Sequence, residues 1–297
     1  MGKNIVFKTL ELSNGETLGY REAGEGDRTL LLIHGNMSSS LNWDIFMENM
    51  PENFRMYAVD LRGFGASTYN KPIETIKDLS DDIKLFADAL GLKEIIAAGW
   101  SAGGTVAMQL ASDYPELIKK LILIDSSSIK GYPVFKRNLL NRPMQGQYVK
   151  TKAEMTRLLS YLKSTFEKKN VADIKKICDS EIYTIKKPDE SRYDKYAEEI
   201  TKQRNIVDFN YGLSIFNISH VNNGVVNGTG EVDRITMPVL VVQGDKDKLV
   251  TMDMAREIKD GIGDNAELVI LKDSGHVPFV DNPEDLIKAV VEFIYKE

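Results

Sequence analysis

Residues 94–106, Glu94-Ile95-Ile96-Ala97-Ala98-Gly99-Trp100-Ser101-Ala102-Gly103-Gly104-Thr105-Val106, lead from an apolar run through a glycine-rich turn into a helical stretch ending near Tyr114-Pro115. The run 94–98 reads as a strand covered on both faces. Glycines stand two places before and two places after Ser101. A strand-to-helix turn needs them there when its central residue is forced into a strained backbone conformation. A serine at that centre has its hydroxyl clear of the strand end and beside the positive end of the following helix. This is the setting of a nucleophile, and the strand before and helix after distinguish it from an ordinary glycine-rich helix entry.

Working outward, similar apolar runs recur at 29–33, 54–59, 121–124, 239–242 and 268–271. Near the N-terminus, Asn14-Gly15 marks a hairpin turn between strands over about 4–12 and 17–23. Helical periodicity separates the later strands: Ile76, Leu79, Ile83, Phe86 and Leu90 lie on one face behind a Thr75/Asp78 capping box. Asn282-Pro283 caps a last helix carrying Leu286, Val290 and Phe293. Strands alternating with helices predict an α/β fold: a mostly parallel, doubly wound sheet covered on both faces.

The alternation breaks over 128–235, where strands vanish and amphipathic helices are expected, for example around Met155, Leu158, Leu159, Leu162 and Phe166. This segment has 19 basic and 13 acidic residues, a net +6, which leaves −12 for the rest. The expected organisation is therefore a core of 1–127 and 236–297, split by a helical cap at 128–235.

The whole chain has 297 residues, is 42% hydrophobic and 28% charged, and has a formal charge of −6. That composition belongs to a globular protein and excludes disorder as the main state. The acidic balance argues against nucleic acid as a partner. No apolar run reaches the roughly 18 residues that span a bilayer, so no membrane association is expected. The single cysteine, Cys178, cannot form an internal disulfide and reads as a core residue of a cap helix. The N-terminal stretch has no secretion signal, and a cytoplasmic location is expected.

A serine hydroxyl is a weak nucleophile until a base takes its proton. Of three histidines, His276 lies in Asp273-Ser274-Gly275-His276-Val277-Pro278, just after the last strand, where a loop at the carboxyl edge presents it. His34 abuts Gly35 at another strand end and is expected to shape that loop, while His220 lies in the cap. The base in turn needs an acid to fix its tautomer. Asp125, Asp245 and Asp247 all stand at strand ends. Asp247 is favoured because Asp245 sits close to the strand and suits the turn; Asp125 is the alternative. No metal-binding cluster is visible, and nothing in the chain calls for a cofactor.

Taken together, the His34-Gly35 loop, the stretch Asp60-Leu61-Arg62-Gly63-Phe64-Gly65-Ala66-Ser67, the Ser101 turn, Gly244–Asp247 and Gly275-His276 resemble the α/β-hydrolase fold superfamily over nearly the whole chain. The order Ser101, Asp247, His276 is the order of that family's catalytic triad. The resemblance implies that Asp247 is the acid. It also implies that the backbone N–H groups of Asn36 and Ala102 form the oxyanion hole, and that the helical insert roofs the pocket. Ser101 separates this chain from the dehalogenases and epoxide hydrolases of the superfamily, which use a carboxylate nucleophile. The implied activity is hydrolysis of a carboxylic ester, with lactone, thioester, C–C bond and perhydrolase chemistry as variants and a non-catalytic small-molecule receptor as the alternative. The Gly-Trp-Ser turn further resembles that of pimeloyl-carrier-protein methyl esterases. An acidic acyl-carrier partner steered by the basic cap is therefore an expectation, against solvated helix faces at Lys168-Lys169, Lys175-Lys176 and Lys186-Lys187. Met144, Phe216 and His220 are candidates for the pocket wall, with packing as the alternative.

Overall fold

In a computed structural model describing residues 3–138 and 140–296, eight strands form one sheet. The first half of the chain runs β1 (Val6–Glu11), β2 (Thr17–Ala23), β3 (Arg28–Ile33), α1 (Asp44–Asn49), β4 (Phe54–Val59), α2 (Ile76–Ala89), β5 (Ile95–Trp100), α3 (Ala102–Asp113) and β6 (Ile118–Ile124). After it come β7 (Phe135–Arg137), β8 (Pro143–Tyr148), α4 (Lys152–Leu158), α5 (Ser160–Glu167), α6 (Val171–Glu181), α7 (Glu190–Ile200) and α8 (Ile206–Ile215). The chain closes with β9 (Val239–Gly244), α9 (Met252–Ile262), β10 (Ala266–Leu271), α10 (Pro278–Asp281) and α11 (Pro283–Tyr295). The sheet order is β1-β2-β4-β3-β5-β6-β9-β10. In this sheet β2 is antiparallel to both neighbours, and every other pairing is parallel.

The continuous apolar runs are explained by two cores. Alternate strand residues point to opposite faces, so Leu31, Ile33, Ala97, Leu121, Leu123 and Val241 enter one core and Leu30, Leu32, Ala98, Ile122, Ile124 and Val242 the other. The first is covered by α2, α3 and α9, the second by α1 and α11. Helix α2 starts as its sequence predicts, with the Asp78 carboxylate accepting from the N–H of Thr75 at 2.9 Å. Because the central strands are parallel, β3, β5, β6, β9 and β10 all deliver their carboxyl ends to the same edge.

Among the described residues, the segment between β6 and β9 contains five α-helices, but also strands that the periodicity does not predict. β7 and β8 form an antiparallel ribbon pinned by the stacked rings of Phe135 and Tyr148, 4.7 Å apart. β8, Pro143-Met144-Gln145-Gly146-Gln147-Tyr148, is mostly exposed and polar, so no apolar alternation marks it. The residues from Met155 to Phe166 form two helices, broken at Leu159. The segment contributes Phe209, Leu213 and Phe216 to one core and Phe166, Ile174 and Cys178 to the other. Burial pushes the Cys178 thiol up to about 12, so it stays protonated and packs as a small hydrophobe. Among the described residues, no helix is long and apolar enough to cross a membrane.

Candidate active site

Ser101 sits between the end of β5 and the start of α3 with φ 56° and ψ −128°, a conformation costly for a residue bearing a side chain. The glycines around it are required by close approach. A Cβ on Gly99 would lie 2.6 Å from the Gly103 carbonyl oxygen, and one on Gly103 would lie 2.3 Å from that of Ile33. The turn is thus wedged against the end of β3. On the far side, a Cβ on Gly35 would fall 2.8 Å from the Ser101 Cβ, so the loop after β3 passes directly over the serine.

His276, on the loop between β10 and α10, is almost wholly buried. Its Nε2 accepts from the Ser101 hydroxyl at 2.9 Å, and its Nδ1–H donates to Asp247 Oδ2 at 2.7 Å. Asp247 follows β9; its other oxygen accepts from the N–H groups of Leu249 at 2.8 Å and Val250 at 3.1 Å. The carboxylate is thereby fixed and shielded, and its orientation fixes the imidazole. Trp100 adds a second restraint, its indole N–H donating to the His276 carbonyl at 2.7 Å.

The other two aspartates stand elsewhere. Asp245 is exposed and accepts from the Ser274 N–H at 3.3 Å, tying the loop after β9 to the one carrying His276. Asp125, at the end of β6, is wholly buried; Oδ1 accepts from the Gly244 N–H at 2.8 Å, and Oδ2 has no partner among the described residues. Burial first, and then the nearby Asp247 charge, push the Asp125 carboxyl well above the usual carboxylate range. His34 is a bracket: its Nε2 accepts from the Leu61 N–H at 3.0 Å, and its Nδ1 lies 2.8 Å from the Gly35 carbonyl oxygen. Burial lowers its pKa, so it holds these loops as a neutral ring.

Ser101 and His276 open onto a cavity of about 230 Å³, with Asn36, Met37 and Ala102 on the floor side. Tyr132, Leu162, Ile177, Glu181, Asn210 and Leu213, all between β6 and β9, line it as well. Met144, Phe216 and His220 do not line it: Phe216 is core, and exposed His220 contacts Asp233 at 2.9 Å. Ala102 opens α3, where a backbone N–H has no intrahelical acceptor. Among the described residues, neither its N–H nor that of Asn36 has a hydrogen-bond partner. Larger surface grooves exist, one beside Lys3, Glu22 and Arg55 and one across β10 and α11, but neither contains Ser101 or His276. Among the described residues, no group of three or more His, Cys, Asp or Glu is placed to hold a metal ion.

The family profile described as alpha/beta hydrolase fold matches residues 28–283. The chain belongs to the α/β-hydrolase fold family. It is 24% identical, over 97% of its length and 96% of the relative's, to a 2-hydroxy-6-oxononadienedioate/2-hydroxy-6-oxononatrienedioate hydrolase of a Pseudomonas species. It is also 24% identical to a pimeloyl-[acyl-carrier protein] methyl ester esterase of Yersinia pseudotuberculosis, over 91% of this chain and 94% of that one. Among solved structures it is similar in fold to an esterase from Exiguobacterium antarcticum, with a TM-score of 0.75, 18% identity and coverage of 98% and 100%.

In this α/β hydrolase the segment between β6 and β9 is bonded to the loop over the serine. Gln203, between α7 and α8, donates to the Asn36 side-chain oxygen at 2.9 Å and accepts from the Met37 N–H at 3.2 Å. It also donates to Asn205, whose side chain donates to the Arg62 carbonyl at 2.6 Å. Nothing in the sequence marks these residues, because a polar stretch between two helices reads as an ordinary loop. Gln203 thus holds the Met37 amide, while the amide of Asn36, a residue lining the cavity, has no hydrogen-bond partner among the described residues. Gln203→Ala is expected to lower kcat about tenfold on a small ester and leave KM within about twofold, since slight misplacement of a donor costs rate more than ground-state binding. A loss of thermal stability with unchanged kcat would reduce Gln203 to a structural tie. Of the doubled lysines at 168–169, 175–176 and 186–187, three pair with carboxylates of the same segment: Lys175 with Glu190 at 2.6 Å, Lys176 with Asp173 at 2.9 Å and Lys187 with Asp179 at 2.7 Å.

Proposed function

We propose that this chain is a serine hydrolase that cleaves a carboxylic ester or related acyl bond of a small molecule through a Ser101–His276–Asp247 triad. The observation that carries the reading is the unbroken pair of hydrogen bonds from the Ser101 hydroxyl to His276 and from His276 to Asp247, at the floor of a roofed cavity. His276 takes the Ser101 proton as Oγ attacks the carbonyl carbon. Negative charge then develops on the carbonyl oxygen, and the N–H groups of Asn36 and Ala102 stabilise it. His276, now an imidazolium beside Asp247, gives its proton to the leaving group. In the second half it activates water, the acyl–Ser101 bond breaks, and the acid leaves. At about 230 Å³ the cavity lies below the roughly 300–1,000 Å³ of sites for drug-sized ligands, which suits a short acyl or alkyl group.

Stopped-flow mixing with p-nitrophenyl butyrate tests the two-step course. A burst of nitrophenolate close to one equivalent per active site, followed by slower steady turnover, is expected if deacylation is the slow half. Tight binding of small esters with no turnover across esters, lactones and thioesters would instead favour a receptor.

A further inference from the structure

The cavity offers no cation to a substrate. Among the described residues its lining holds no Lys or Arg, its only basic group is His276, and it includes one carboxylate, the solvent-exposed Glu181. Glu181 makes no hydrogen bond or ion pair among the described residues. The lysines that follow it in sequence are engaged elsewhere: Lys186 donates to the Asp281 carbonyl at 2.6 Å, and Lys187 pairs with Asp179. Glu181 is also the last residue of α6, and Ile182 beside it lines the cavity as well. The carboxyl end of an 11-residue helix, carrying partial negative charge, therefore abuts the same opening. Inside, the Glu181 charge is felt by partly buried Tyr132, whose phenol is pushed up first by burial and then by the charges of Asp247 and Glu181.

We propose that Glu181 selects the substrate by charge: the hydrolase accepts esters bearing an ammonium group most readily, neutral ones next, and carboxylate-bearing ones poorly. The proposal rests on the serine-hydrolase reading above and narrows its substrate class. It also separates this chain from the Pseudomonas relative, whose named substrate is a dioate. A dicarboxylate entering here would meet a carboxylate and a negative helix end, with no Lys or Arg in the lining to balance either charge.

Three matched thioesters test this, with thiol release followed colorimetrically: acetylthiocholine, its uncharged isostere 3,3-dimethylbutyl thioacetate, and 3-(acetylthio)propionate. A second set carries the same three kinds of end group on the acyl side, because the side facing Glu181 is set by how the ester lies. In at least one set, kcat/KM is expected to fall about fivefold from cation to neutral and again about fivefold from neutral to anion, as for one charge near a water-exposed opening. The spread is expected to shrink in 0.5 M NaCl. Glu181→Gln is expected to bring the cation-to-anion ratio close to one, and Glu181→Lys to invert it. Turnover of the neutral esters with no charge order in either set, or an order that survives in Glu181→Gln, overturns this proposal alone. No turnover of any of the six esters overturns the hydrolase reading and this one with it.

Discussion

Ser101→Ala is expected to lower kcat on p-nitrophenyl butyrate by about 10⁴- to 10⁶-fold and to abolish the burst. The alanine keeps the Cβ that the φ of 56° already accommodates, so the turn stays wedged between β3 and α3 and the cavity keeps its walls. Only the atom that attacks is removed. His276→Ala is expected to cost about as much, because without the base the hydroxyl stays protonated. The double variant is expected to be no worse than either single one, since the two groups act as a unit. What turnover survives would come from the amides of Asn36 and Ala102 acting on bound ester and water. Turnover near the wild-type rate in either single variant would remove these residues from the mechanism.

Asp247→Asn is expected to cost about 10³- to 10⁴-fold in kcat, against no more than about tenfold for Asp125→Asn. Asp247 accepts three hydrogen bonds, from the N–H groups of Leu249 and Val250 and from His276 Nδ1. An asparagine amide presents an NH2 group to one side or the other. Turned toward His276 it stabilises the tautomer with its proton on Nε2, which cannot take the Ser101 proton. Asp125 is different, because asparagine is a neutral isostere of a carboxyl already driven toward its protonated form. A raised folded pKa stabilises the fold below the unfolded carboxylate value near 4, and that contribution is lost as pH rises through the folded value. The melting temperature of wild type is therefore expected to fall relative to Asp125→Asn as pH rises above about 4. A larger kcat loss for Asp125→Asn than for Asp247→Asn would move the acid's role to Asp125.

The site was legible where chemistry forces residue types into fixed local order. The glycines around Ser101 are dictated by backbone contact with Ile33 and Gly103 within a few residues or one strand away, so the sequence carries them openly. His276 and Asp247 could be read because each closely follows an apolar strand, and parallel strands deliver their carboxyl ends to one edge. The part of the cavity lining that comes from between β6 and β9 was not legible. Tyr132, Glu181 and Asn210 reach the cavity from a loop and two separate helices, and what brings them together is tertiary packing with no sequence period of its own. Gln203 escaped notice for the same reason. The ribbon of β7 and β8 stayed hidden because its exposed polar residues bury too little for alternation to appear.

The sharing of both cores across the β6–β9 connection bears on how this chain can be altered. Phe209 and Leu213 lie with Phe64 and Ile76 beneath one face of the sheet, while Phe166 and Ile174 belong with the residues of the other. Excising 128–235 would therefore strip apolar surface from both faces at once, and the remainder would not be a smaller, open-mouthed enzyme but an aggregation-prone fragment. Grafting a foreign roof meets the same demand: the donor must supply two hydrophobic anchors, one per face, before its pocket residues matter. The exchangeable part is narrower, limited to side chains such as Ile177 and Glu181 that line the cavity and belong to neither core.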